Sequence, residues 1–191
     1  MLKIFLFLIL SACIAFVTSW RGLMLGPGRW LVLNILQCEE PEQYDFTYEI
    51  SRRKINRTHD CFSLVMDLDR EVNFSYAAKI DVYQKVDGGF KYFQTMEDDC
   101  ACKYIMDHAE ENMKRFLSNT GIDPPDCPFG PRPVNIDKFV MDYTELPKHG
   151  VYGTFEVYAY ALLDKKKKGC LKITLNFDEA NGDDSDEHGL L

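Results

Sequence analysis

Between Val151 and Phe177 the sequence spells two long strands joined by a charged turn, and this hairpin sets what the rest of the chain must supply. Every second residue of its first strand, Val151, Gly153, Phe155, Val157, Ala159, Ala161 and Leu163, is apolar or small. The residues between them, Tyr152, Thr154, Glu156, Tyr158 and Tyr160, fall on the other side. Side chains of a strand alternate between faces, so the first row is the dry face of a pleat. After a turn from Asp164 to Gly169 the alternation resumes, with Leu171, Ile173, Leu175 and Phe177 opposite Lys172, Thr174 and Asn176. A dry face this long requires a second layer against it, which predicts a two-sheet sandwich or a closed barrel.

The start of the chain speaks to its compartment. Lys3 is followed by a run from Ile4 to Val17 almost without polar residues, then by the small residues Thr18 and Ser19. That order is a secretory signal, cleaved after Ser19, and the run is shorter than the roughly 20 apolar residues of a spanning helix. Residues 1–19 are read as a signal peptide, 20–177 as a single domain and 178–191 as a disordered acidic tail. About 170 residues suffice for one domain that buries about 70% of its unfolded surface. The net charge of −8, one unit more negative once Lys3 is removed, argues against nucleic-acid partners and against electrostatic attachment to anionic membranes. No later stretch is long and apolar enough to span.

Removal of Cys13 with the signal leaves Cys38, Cys61, Cys100, Cys102, Cys127 and Cys170, an even set that implies up to three disulfides in an exported chain. Cys100-Ala101-Cys102 with His108 nearby could be drawn as a metal cluster, but zinc sites show paired ligand spacings that this segment lacks. No metal and no cofactor is expected. Asn56-Arg57-Thr58 and Asn73-Phe74-Ser75 are N-glycosylation sequons, usable only on the secretory route.

Taken in order, Gly26-Pro27-Gly28 breaks the chain ahead of a short apolar run, Trp30 to Leu36. Strand alternation follows over Gln43 to Ser51, with Tyr44, Phe46, Tyr48 and Ile50 on one face. It recurs over Cys61 to Leu68, with Phe62, Leu64, Met66 and Leu68 together, and over Asn73 to Val86, with Phe74, Tyr76, Ala78, Ile80 and Val82 inward. Asp87-Gly88-Gly89 is a hairpin turn into a strand from Phe90 to Met96. One segment is helical. It opens on the acidic Glu97-Asp98-Asp99, carries Cys102, Ile105, Met106, Ala109, Met113, Phe116 and Leu117 on one face, and stops at Asn119 and Gly121. The prolines between Asp123 and Pro133 exclude a sheet interior and predict a rigid loop held by Cys127. Val134 to Tyr143 is a last strand before the turn at Pro147 and His149-Gly150.

Little here points to catalysis. Asp107-His108 beside Cys102 invites comparison with secreted phospholipases, but the doubled cysteine and the glycine-rich calcium loop of those enzymes are missing. The other histidines, His59, His149 and His188, have no nucleophile elbow to partner them. The lysines from Lys165 to Lys168 read as a soluble turn that discourages edge pairing. The interior is more informative. Gly153, Ala159 and Ala161 are too small to fill the gap of roughly 10 Å between facing sheets, so either large side chains reach across or a cavity remains.

Several landmarks then occur in a telling order: Cys38-Glu39-Glu40, Asp98-Asp99-Cys100-Ala101-Cys102-Lys103-Tyr104-Ile105 opening a helix, Cys127-Pro128 after a proline loop, Leu146-Pro147 to Gly150-Val151-Tyr152-Gly153-Thr154-Phe155, and the late Cys170. In these the chain resembles, from about Trp30 to Phe177, the insect secreted proteins akin to the ganglioside activator and to chemosensory protein B, within the ML lipid-recognition superfamily. The resemblance implies an immunoglobulin-like antiparallel β-sandwich of about seven strands with one inserted helix, its sheets splayed to admit a lipid, and no catalysis. It also implies the pairs Cys38–Cys170 and Cys102–Cys127, which would leave Cys61 and Cys100 to each other. Pheromone sensing, lipid transport and immune recognition are all compatible with it, with a receptor or other secreted protein as a further partner.

The expected function is that of a secreted, glycosylated binder of a lipid or other hydrophobic small molecule. Its expected walls are Phe62, Leu64, Val82, Tyr92, Phe155, Val157, Ile173 and Leu175, with Ile105, Met106 and Met113 as a lid. Two other classes remain open at this level. One is an interaction module with a filled core that works through Tyr152, Tyr158 and Tyr160; the other is a lipid hydrolase dependent on His108.

Overall fold

The structure, a computed structural model, describes residues 24–40, 43–55 and 59–179. The signal at 1–19, the sequon at Asn56 and the tail from residue 180 lie outside the described residues. In chain order the elements are β1 (Leu25–Gln37), β2 (Tyr48–Lys54), β3 (His59–Leu68), β4 (Ala77–Val86), β5 (Gly89–Asp98), α1 (Ala101–Asn119), β6 (Arg132–Asp142), β7 (His149–Val151), β8 (Gly153–Leu163) and β9 (Lys166–Glu179). A single turn of 3-10 helix, Tyr143–Glu145, links β6 to β7. The strands form two antiparallel sheets, six strands in the order β5-β4-β8-β9-β1-β7 and three in the order β2-β3-β6. The described residues form a mostly-β sandwich with one inserted helix, as the dry hairpin requires.

That hairpin is the middle of the larger sheet, with Phe155 opposite Leu175 and Val157 opposite Ile173. Its turn is tighter than expected. Asp164 and Lys165 alone reverse the chain, both at positive φ as a two-residue hairpin loop demands, and Lys166 already belongs to β9. The strand then runs through Glu179, two residues past the expected domain end, because Asp178 and Glu179 pair with Arg29 and Gly28 of β1.

Gly26-Pro27-Gly28 does not break the chain. Leu25 to Pro27 pair with β7 and the strand continues from Gly28 along β9. The glycines are there for close approach: a Cβ on Gly26 would strike the Tyr152 hydroxyl, and one on Gly28 the carbonyl of Asp178 and the Phe177 ring. Pro133 likewise sits inside β6, opposite Asp67, which is permitted because β6 is an edge of its sheet. Phe74, expected inward, is 57% exposed, since Asn73 Oδ1 accepts the Ser75 N–H in a local turn and β4 starts only at Ala77. The sequon thus lies in a turn, with Asn73 half-buried and Phe74 and Ser75 exposed. Glu97 and Asp98 finish β5 rather than open the helix; Cys100 caps it, its Sγ accepting from the Lys103 N–H.

Two disulfides form, Cys38–Cys170 and Cys102–Cys127, and Cys61 and Cys100 are free thiols. The third expected pair is excluded by distance. Cys100 follows β5 and adjoins Cys102, which is tied to Cys127 in the loop before β6, whereas Cys61 pairs with Val140 near the far end of β6, about 23 Å along β3 from the Leu68–Arg132 pair at about 3.3 Å per residue. A thiol count checks this: the chain from residue 20 onward should take up two alkylating groups when unfolded without reductant. When native it should take up one, at the half-buried Cys100, with Cys61 protected.

Candidate functional site

The two sheets meet closely on one side and part on the other. On the near side Arg52 Nη1 donates to the Leu33 carbonyl at 3.1 Å and pairs with Asp60 at 2.7 Å, and the Tyr143 hydroxyl donates to Asp60 Oδ2 at 2.6 Å. Burial and the hydrogen bond to Asp60 hold the Tyr143 phenol well above its ordinary pKa, so it stays a donor. On the far side α1 lies between β6 and β4 and closes the wedge. Between them is a cavity of about 620 Å³.

Each wall follows from an alternating row. The large sheet supplies Ala159 and Ala161 from β8 and Leu171, Ile173 and Leu175 from β9. The small sheet supplies Tyr48 and Ile50 from β2, Phe62, Leu64, Met66 and Leu68 from β3, and Val134 and Phe139 from β6. α1 turns Ile105, Met113, Phe116 and Leu117 inward. Among the described residues no charged side chain lines the space. The Tyr48 hydroxyl donates to the Cys170 carbonyl at 2.5 Å and the Thr120 hydroxyl to the Leu117 carbonyl at 2.6 Å. Burial raises the Tyr48 pKa, which keeps that phenol neutral. An ionised group placed in this space would find no counter-charge in its lining, a cost that favours hydrocarbon for the guest's inner part.

Of the expected wall, Phe62, Leu64, Ile173 and Leu175 line the cavity, as do Ile105 and Met113 of the expected lid. Val82, Phe155 and Val157 do not. They pack on Phe177, with Trp30 and Phe93 beside them, in a cluster drawn from the strands of the six-stranded sheet alone. Tyr92 is 63% exposed, because the extra residue of a β-bulge in β5 falls at Phe93. The bulge turns Phe93 inward onto Phe155 at 5.7 Å and leaves Tyr92 outside, edge-on to Tyr83. Met106 lies one residue round the helix from Ile105 and misses the space. Of the small inward residues, Ala159 and Ala161 border the hollow and Gly153 does not. Val32, Ile35, Tyr48 and Ile50 were missed as wall residues, although the alternation over Tyr48 and Ile50 was visible.

The competing readings meet other geometry. The interior is hollow, not filled. Tyr152, Tyr158 and Tyr160 are half-buried: Tyr152 donates to the Pro27 carbonyl, Tyr158 to Glu156, and Lys167 sits 3.6 Å over the Tyr160 ring. His108 Nδ1 lies 2.7 Å from the Tyr104 carbonyl, to which it donates, and the two rings stack. Cys102 is spent in its disulfide, and no cluster of metal-binding side chains occurs among the described residues. Nor is any helix among them long and apolar enough to cross a membrane.

No family model and no curated protein matches the sequence. Among solved structures the curli protein CsgC of E. coli is similar at 8% identity, over 60% of this chain and 84% of its own, with a TM-score of 0.21, a likeness too slight to bear on fold or function.

Proposed function

We propose that this chain is a secreted, non-enzymatic binding protein for a lipid or other hydrophobic small molecule, held between the two sheets as a carrier, presenter or chemosensory accessory. The cavity carries the proposal. Its volume of about 620 Å³ lies within the range of roughly 300–1,000 Å³ usual for small-molecule pockets, and its lining has no charge. Each methylene moved from water into such a space contributes about 0.8 kcal/mol, so about eight of them supply about 6 kcal/mol before the cost of immobilisation. Two disulfides and the signal-like N-terminal run support export.

Mass spectrometry of an organic extract of the natively secreted protein should find a bound hydrophobic molecule, and the stripped protein should take up a fluorescent fatty acid. Repeated extracts free of any such molecule, together with no uptake, would remove the proposal.

A further inference from the structure

We infer that α1 and the proline run that follows it form a lid over the cavity, hinged at the Cys102–Cys127 disulfide and fastened by a polar latch centred on Asn112. The inference rests on the cavity being a binding site.

The first observation is the break in the helix. Ala109 has φ −153° and ψ 49°, so residues 101–108 and 110–119 are separate helical pieces. A break leaves carbonyls without partners on one side and N–H groups on the other. Both sides are capped here. His108 Nδ1 donates to the Tyr104 carbonyl at the end of the first piece. In the second, Asn112 is the third residue, whose N–H an N-cap side chain ordinarily satisfies, and Ala109 has no such side chain. Glu145 supplies the acceptor from another element, its Oε2 2.9 Å from the Asn112 N–H. Glu110 and Glu111 occupy the first turn of that piece, where negative charge is favoured. The bend is built in, and half of its capping comes from the body of the sandwich.

The second observation is where the segment is tied. Cys102 is bonded to Cys127, the Ala101 N–H donates to the Tyr76 carbonyl at 2.6 Å, and Val72 bridges Phe129. These ties gather at one end. The run from Thr120 to Cys127 is one of turns and bends, opened by the N–H groups of Thr120, Gly121 and Ile122 on the last carbonyls of the helix, and the disulfide fixes its far end beside Cys102. Residues 103–126 thus make a flap hung from its base.

The third observation is what holds the flap down. Asn112 is 5% exposed. Its Nδ2 donates to the Asp142 carbonyl at 2.8 Å, and its Oδ1 accepts from the Asp142 N–H at 2.9 Å and from Arg115 Nη2 at 2.6 Å. Arg115 also faces Glu145 at 3.4 Å. The Asp142 carboxylate accepts the Thr144 N–H, which fixes the turn carrying Glu145 and holds the Asp142 pKa below its ordinary value. The apolar side of the same piece, Met113, Phe116 and Leu117, borders the hollow, with Phe116 edge-on to Phe139 at 5.7 Å and Leu117 buried. The polar latch adds the hydrogen bonds that tie this piece to the Asp142–Glu145 turn. Ile105, at the hinge side, lines the cavity while 40% exposed, which places the way in along the flap.

The latch touches no part of the hollow, so it governs how often the cavity opens and not how well it fits a guest. Full-length Asn112→Ala, with Glu145→Ala as a second variant should the first fold poorly, tests this by stopped-flow uptake of cis-parinaric acid and by native-state hydrogen exchange. The expected result is that association and dissociation both quicken by about tenfold while Kd stays within about twofold, and that amides of residues 103–119 lose protection while β8 and β9 keep theirs. Faster dissociation with unchanged association would make Asn112 an ordinary support of the wall and overturn the lid. So would helix amides that exchange only when the whole molecule unfolds. Wild-type protein that takes up no probe would instead overturn the cavity reading, and the lid with it.

Discussion

Replacing Ala159 and Ala161 together by phenylalanine is expected to leave a folded protein that takes up no hydrophobic guest. Both residues lie on the inner row of β8, two apart on one face, and both border the cavity. Two benzyl groups directed into about 620 Å³ of unfilled space occupy the volume a guest would need. Because both positions border unfilled space, the usual cost of inserting bulk into a core is reduced, and new dispersion contacts offset side-chain ordering. Thermal stability should therefore be unchanged or slightly raised. Uptake of a fluorescent fatty acid should weaken by at least about 100-fold, equivalent to about 2.7 kcal/mol. The Tyr158→Ala, Tyr160→Ala chain is the control, since its changes lie on the same strand but the opposite face and should leave uptake intact. Unaltered uptake by the double phenylalanine variant would mean that the guest site is elsewhere.

The hairpin from Val151 to Phe177 was legible because strand periodicity is local: its dry row is the inner face of β8 and β9, and the hollow follows from Ala159 and Ala161. What periodicity cannot say is which stretch of a dry row meets a neighbour. Phe155 and Val157 share a face with Ala159, yet Trp30 and Phe177 fill the space beside them, and both of those come from other strands. The Phe93 bulge was hidden for a related reason, since one extra residue inverts the faces on one side of it and nothing in Phe90 to Met96 marks the position. Gly26 and Gly28 were read as a break because glycine is a turn signal, whereas here it makes room for rings that arrive from elsewhere. The two-piece helix is the same kind of case. Its stripe from Cys102 to Leu117 was visible, but the piece after its break at Ala109 is capped by Glu145, a partner no helical pattern can contain.

The second large effect is expected in the aromatic cluster of the six-stranded sheet. Phe177 is 0% exposed, 4.7 Å from the Trp30 ring centroid and stacked on Tyr152 at 5.6 Å, and Trp30 in turn meets Phe155 at 6.2 Å. Gly150 also makes way for it: a Cβ there would lie 3.2 Å from the ring. Phe177→Ala removes the ring on which β1, β8 and the β7 end converge, and glycine neighbours offer no side chains to collapse into the gap. The loss should be about 4 kcal/mol, read as a Tm lowered by roughly 8–16 °C for a chain of this size. Yet Phe177 borders no part of the cavity, so molecules that remain folded should bind a fluorescent fatty acid with Kd within about twofold of wild type. All the side chains of this cluster come from the six-stranded sheet and its Tyr152 link, so the variant separates the strength of that sheet from the fit of the hollow. A stable Phe177→Ala protein would mean that the sheet is held elsewhere; a folded one with weakened binding would mean that this cluster shapes the hollow.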